Sequence, residues 1–262
     1  MQWTHIYALF LRHWYPLKRD FDLLTDMLYW PIFDTITWGL ASSWMVTKSE
    51  GSPNIILSIL IALILWNIMW RSQMEISRNL IDEIWNQNLV NLFSTPLRLR
   101  EWIVSVLGQS IFKMMITATA VSATITVMYA ADIFALGWWI LPMFVNTILT
   151  GWCIGFITAG IVIRYGAKMQ TVVWTLPAMF FPLSAVYFPV SQLPQFWQYV
   201  SYCVPTTYVF EGMRQLLFTG TIDTGPLWLS FAMNGVYLVL TIMFFVRRFK
   251  KSKELNFGRF TA

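Results

Sequence analysis

Between Ile133 and Ile163 the chain carries no charged residue for 31 positions, and between Met169 and Phe210 none for 42. Backbone groups in runs this apolar can be satisfied in hydrocarbon only within helices or closed barrels, and a helix crossing a core about 30 Å thick takes roughly 20 residues. Gly51–Trp70 and Met114–Ala131 are charge-free as well. The chain therefore reads as an all-α integral membrane protein. Only 12% of its 262 residues are charged, against roughly 25% in soluble domains. That length has room for about six spans and no separate soluble domain.

One membrane domain over 1–262 is expected. Residues 1–25 should form an interfacial helix with an apolar face of Ile6, Tyr7, Phe10, Trp14 and Leu17, because a span there would bury Arg12, Lys18, Arg19, Asp20 and Asp22. Spans are expected at 27–47, 53–74, 102–131, 136–163, 169–188 and 226–246. The run from Met169 is too long for one helix and holds Pro177, Pro182, Pro189, Pro194 and Pro205. Span 5 is thus set to end near Phe188, with 189–217 folding as a re-entrant helical hairpin in the outer leaflet. Gly151, Gly155 and Ala159, spaced by four, give span 4 a close-packing face. A neighbouring helix of the same chain or a dimer seam would satisfy it.

Six spans put both termini on one side, and Lys and Arg favour the cytoplasmic side. Sixteen of the eighteen fall there, leaving Lys48 and Arg214 opposite. The expected location is the cytoplasmic (inner) membrane, multi-pass, with both termini cytoplasmic and no cleavable signal. The pI near 9.3 is then a topological signal, and no nucleic-acid partner is implied. Cys153 and Cys203 lie in different segments and suggest neither a disulfide framework nor a metal site.

The exception to this apolar chain is Glu75–Glu101. Within it, Ile81, Ile84, Trp85, Leu89 and Leu92 or Phe93 follow helical spacing, while Asp82, Glu83, Asn86, Gln87 and Asn91 take the remaining surface. A cytoplasmic helix over 78–95, broken by Pro96, is expected. It could rest on the membrane or grip a partner; its acidic polar face suits a protein better than anionic lipid.

Catalytic signatures are missing. There is no Gly-Lys dipeptide for a phosphate loop, no HExxH and no GxSxG, and the only histidines are His5 and His13. No catalytic or metal-binding residue is assigned. Asp34, about two turns into span 1, must face a cavity or a partner, and a pathway role and an interhelical bond both satisfy that. Arg71 and Glu75 could pair with each other or anchor the inner end of span 2, and Glu211 and Arg214 are spaced to pair on the hairpin.

This order of segments resembles the membrane subunit of an ABC-2 type exporter, over nearly the whole chain. The motifs are Arg78–Arg100, ending in Ser94-Thr95-Pro96-Leu97-Arg98, and PLSAVYFPVSQLPQFWQYVSYCVPTTYVFEGMRQLL, within Phe181 to Leu217. Ser184-Ala185 stands where relatives often have glycine. The resemblance implies a permease with no enzyme activity of its own, acting as a homodimer or paired with a close relative, together with two copies of a separate ABC ATPase that binds the ATP and Mg. It implies a coupling helix centred on Ile81, Asp82, Glu83, Trp85, Asn86 and Leu89 and closed by Pro96. It also implies a transport pathway near Asp34, Trp38, Trp174, Phe180 and Tyr187, and an outer gate at Phe188, Pro189, Glu211 and Arg214. The cargo would be hydrophobic or amphiphilic, drug-like or lipid, moved outward; a lipid-linked glycan is the alternative. A stand-alone channel or ion-coupled carrier has less support, since several intramembrane charges and an internal repeat would mark one.

Overall fold

The computed structural model describes residues 2–17, 19–49 and 53–254. Met1, Lys18, residues 50–52 of the expected turn after span 1, and 255–262 with Arg259 lie outside the described residues. All regular structure among the described residues is helical: α1 (Trp3–Leu17), α2 (Phe21–Leu24), α3 (Trp30–Ser49), α4 (Pro53–Trp85), α5 (Leu89–Ser94), α6 (Leu99–Tyr129), α7 (Ile140–Tyr165), α8 (Thr171–Leu183), α9 (Gln195–Ser201), α10 (Pro205–Thr219) and α11 (Thr224–Glu254). A π-helical turn, Thr25–Tyr29, joins α2 to α3. Among the described residues, four helices are long and apolar enough to cross a membrane: α4, α6, α7 with the turn before it, and α11. The helices in the places of expected spans 1 and 5 are α3 and the 13-residue α8; at 1.5 Å per residue, α8 reaches only about 20 Å.

α4 is the central pillar. Leu60 to Met69 are buried on every side, as an all-round apolar helix requires, and α3, α6 and α7 surround it. The small-residue stripe of α7 is what lets two backbones meet. A Cβ on Gly151 would stand 2.5 Å from the Met69 carbonyl, and one on Gly155 would stand 3.0 Å from that of Gln73. Packing within the chain thus uses the stripe. On the other flank of α7, a buried amide cluster fastens α11: Asn234 Nδ2 donates to Asn146 Oδ1 at 2.6 Å, and Thr150 donates to Asn234 Oδ1 at 2.9 Å.

Three boundaries differ from expectation. α1 docks on α6 through Leu9, with Gln109 Nε2 donating to the Leu9 carbonyl at 3.3 Å, while Tyr7, assigned to its apolar face, is exposed. The helix expected over 78–95 is not one element. Its first half continues α4 without a break to Trp85, and a turn with Gln87 at φ 50° separates it from the six-residue α5. α8 stops at Leu183 rather than Phe188, because Ser184 caps it and Ala185 takes φ 52°. An alanine there bears a left-handed penalty of roughly 1–2 kcal/mol that glycine would escape. The turn is held by Ser184 Oγ against Thr206 Oγ1 at 2.7 Å and by Ser201 donating to the Leu183 carbonyl at 2.5 Å.

Gly151→Ala should lower the melting temperature, at a cost of about 1–3 kcal/mol for overpacking against backbone. Gly108→Ala, where nothing lies within 4 Å of the new Cβ, should leave it unchanged or raise it. Equal melting curves for the two variants would contradict the close α4–α7 approach.

Candidate functional site

One end of the bundle gathers α1, the tail of α4, α5, the start of α6 and the ends of α7 and α11 around one apolar cluster. Polar residues are threaded through it. Glu75, Asn79, Glu83 and Glu101 are each no more than 3% exposed, and carboxylates so buried are tolerable only when paired. Glu75 accepts from Lys113 Nζ at 2.8 Å and from Asn79 Nδ2 at 3.3 Å. Glu83 accepts from Arg12 Nη2 at 2.8 Å and from Asn88 Nδ2 at 2.9 Å. Glu101 takes the Gln2 amide at 2.8 Å, the Arg98 amide at 3.1 Å and His5 Nδ1 at 3.0 Å. Lys113 ties α6 to α4, while Arg12 and His5 tie α1 to α4 and α6.

The spacing of Arg71 and Glu75 does not translate into a pair. Arg71 Nη1 donates instead to Asp26 Oδ2 at 2.9 Å, and Arg78 Nη1 reaches the same oxygen at 2.9 Å. The π-helical turn carries Asp26 to α4, where two guanidinium groups neutralise it. Neither Asp26 nor Lys113 was legible as a partner, since both contacts join positions far apart in sequence.

Beside these pairs lies a cleft of about 350 Å³ lined in part by Arg12, His13, Arg78, Asp82, Glu83 and Lys113. Burial, and then the charges of Lys113 and Arg12, push the His13 imidazole down to about 3 from an ordinary 6.5. The face that water sees at this end is the turn between α4 and α5. Trp85, Asn86, Gln87, Val90, Asn91, Ser94, Thr95 and Pro96 are exposed, while Ile81, Ile84, Leu89, Leu92 and Phe93 are buried. The sequence put Trp85 on the packing face and Glu83 on the free one; the structure reverses both. Asp82 is half-buried in the cleft.

A second cleft, of about 450 Å³, opens between α3, α4 and α8. Asp34 and Trp174 line it, joined by Trp30, Trp66 and Trp70, which sequence reasoning left among the general aromatics. From its wall an aromatic chain runs outward. Trp66 meets the Phe181 ring edge-on at 4.7 Å, Phe181 meets Tyr187 at 4.8 Å, and Tyr187 meets Trp38 at 4.7 Å. Phe180 packs on the outer apolar core instead.

A third cleft, of about 460 Å³, is bounded by Tyr187, Pro189, Glu211 and Arg214. Arg214 Nη2 donates to Glu211 Oε1 at 2.9 Å, and that oxygen also accepts the Val190 amide at 2.7 Å. Arg214 Nη1 reaches the Val186 carbonyl at 3.2 Å. The expected pair therefore pins the turn after α8 onto α10. Phe188 is half-buried and does not line this cleft.

Lys113→Gln should cost about 3–5 kcal/mol by stranding the Glu75 carboxylate, and adding Glu75→Gln should restore much of it; a melting-temperature comparison of single and double variants reads both. His13 contributes a pH dependence of definite sign. An unfolded chain takes up the proton near 6.5 while the folded site refuses it until about 3, so stability held above pH 6.5 is lost as pH falls between those values. His13→Gln should flatten that part of the melting-temperature profile.

A family model for the ABC-2 type transporter matches residues 4–218. Comparison with curated proteins gave no match.

Proposed function

Because this chain belongs to the ABC-2 type transporters, we propose that it is the permease subunit of an ATP-driven exporter that moves a hydrophobic or amphiphilic substrate outward across the cytoplasmic membrane. Members of this family supply the membrane component of an ABC transporter and do not themselves catalyse. In our reading two copies of the chain pair with two ATPase subunits, which bind ATP and Mg, and both termini of the permease face the cytoplasm. α3 and α8 complete a set of six spans with α4, α6, α7 and α11, and 189–217 dips into the outer leaflet.

One observation carries the reading. α4 runs unbroken for 33 residues from Pro53 to Trp85, a rod of about 50 Å, with the aromatic cleft midway and an exposed tip at its end. A push on the tip is therefore delivered along a single element to Trp66, Trp70 and Asn67, which line the cleft. Trp85, Asn86, Gln87 and Val90 are the surface that the ATPase grips; Glu83 acts behind it, bracing the tip to α1. Nucleotide binding then drives the exchange between inward and outward states, and its effect is limited to the difference in affinity between them.

Trp85→Ala with Val90→Ala should reduce substrate-stimulated ATP hydrolysis by about tenfold, the loss expected of an exposed aromatic anchor, with an unchanged melting temperature because both side chains are exposed. The assay reconstitutes the chain with its ATPase in liposomes. Unchanged co-purification and hydrolysis would sink the coupling assignment. Transport by the chain alone, without any ATPase, would sink the exporter reading itself.

A further inference from the structure

The cleft between α3, α4 and α8 has two electrically different parts. At one, Asp26 is held by Arg71 and Arg78 at 2.9 Å each, and Arg71 Nη2 also donates to the Asp26 carbonyl at 2.5 Å. Most of their donors are thereby engaged, and Arg71 Nε is buried without a partner among the described residues. At the other, Asp34 has no hydrogen bond or ion pair among the described residues. Asn67 donates Nδ2 to the Leu63 carbonyl at 2.9 Å, which leaves its second amide N–H and its Oδ1 for a guest. Among the charged residues that line the cleft, Asp26 and Arg71 are paired, and the Asp34 carboxylate is left without an ion-pair partner among the described residues.

The rest of the wall is indole: Trp30, Trp66, Trp70 and Trp174. Indole faces carry negative electrostatic potential and attract cations, most strongly away from water. An anionic headgroup would meet Asp34 with both arginines already engaged. A neutral glycan brings no charge to match that carboxylate. A cation with an apolar body satisfies the carboxylate and the ring faces together. At about 450 Å³ the cleft falls in the range that holds drug-sized molecules.

We propose that this cleft binds an organic cation, a protonated or quaternary amine on an apolar body, with Asp34 as the counter-charge and the four tryptophans as its walls. As the cargo class of the exporter, the assignment rests on the proposed function; as a binding site, it stands alone. Asp34 would then hold its place among apolar side chains for the guest's sake.

The test is a titration of the purified full chain, in nanodiscs of zwitterionic lipid, with tetraphenylphosphonium, followed by tryptophan fluorescence and equilibrium dialysis. Saturable binding is expected, weakened about tenfold or more in Asp34→Asn and restored in Asp34→Glu, with Trp174→Leu also weaker. Tetraphenylborate, of the same shape and opposite charge, should not compete. Asp34→Asn binding as tightly as the unaltered chain, with matching melting curves, would overturn the proposal, as would equal competition by the borate. Displacement by octyl glucoside, unaffected by Asp34→Asn, would also overturn it and make the cleft a sugar site. Because no ATPase is present, the outcome is separable from that of the coupling test: an active exporter that binds no cation loses only this assignment, and a cation-binding chain that needs no ATPase loses only the exporter reading.

Discussion

Charge buried against charge is the constraint on which this structure depends. The inner half of α4 carries Arg71, Glu75, Asn79 and Glu83 in a bundle interior where water cannot serve them. Each of the three charged ones finds its partner on another element: Asp26 before α3, Lys113 on α6 and Arg12 on α1. These pairs need not add net stability, because desolvation offsets much of their attraction. What they do supply is registry. Any slide of α1, α3 or α6 along α4 would leave a buried ion alone, so the inner end has one arrangement of low energy.

That registry explains how a stretch so polar can end a membrane helix without leaving the fold. Glu75, Ser77, Asn79, Glu83 and Glu101 are buried and consumed, while Asn86, Gln87 and Asn91 lie exposed at the turn between α4 and α5 and the start of α5. The turn is presented to a partner because everything behind it is fastened. At the far end the same device recurs on a smaller scale, with Arg214, Glu211 and the Val190 amide holding the chain after α8.

The charge-free runs made the apolar helices legible, since few structures satisfy a backbone in hydrocarbon. The i, i+3 spacing of Glu211 and Arg214 made that pair legible too, because local partners depend on helix geometry alone. What escaped notice was tertiary. Arg71 and Glu75 had the right spacing, but each found a stronger partner dozens of residues away, and no periodicity records such a choice. Glu83 and Trp85 were read on the wrong faces because the pattern assumed a single helix through Asn88, whereas Gln87 at φ 50° restarts the periodicity there. Ser184-Ala185 stands where relatives often have glycine, yet span 5 is expected to end near Phe188, since no periodicity marks a left-handed alanine. Asp34 signalled only the expense of an intramembrane carboxylate; the four indoles around its cleft, drawn from α3, α4 and α8, could be assembled only in three dimensions.

The glycine stripe of α7 has a mechanical consequence. At Gly151 and Gly155 the backbone carbonyls of Met69 and Gln73, with the side chains of Ser72 and Ile76, leave no room for even a Cβ, and the amide cluster of Asn146 and Asn234 locks α11 to α7. α4, α7 and α11 therefore form the stiff part of the molecule. Compliance is left to the seams of α3 and α8, which are filled by aromatic rings that can tilt past one another. The bundle is built like a rigid spine with two soft plates, and the cleft sits where the plates meet the spine.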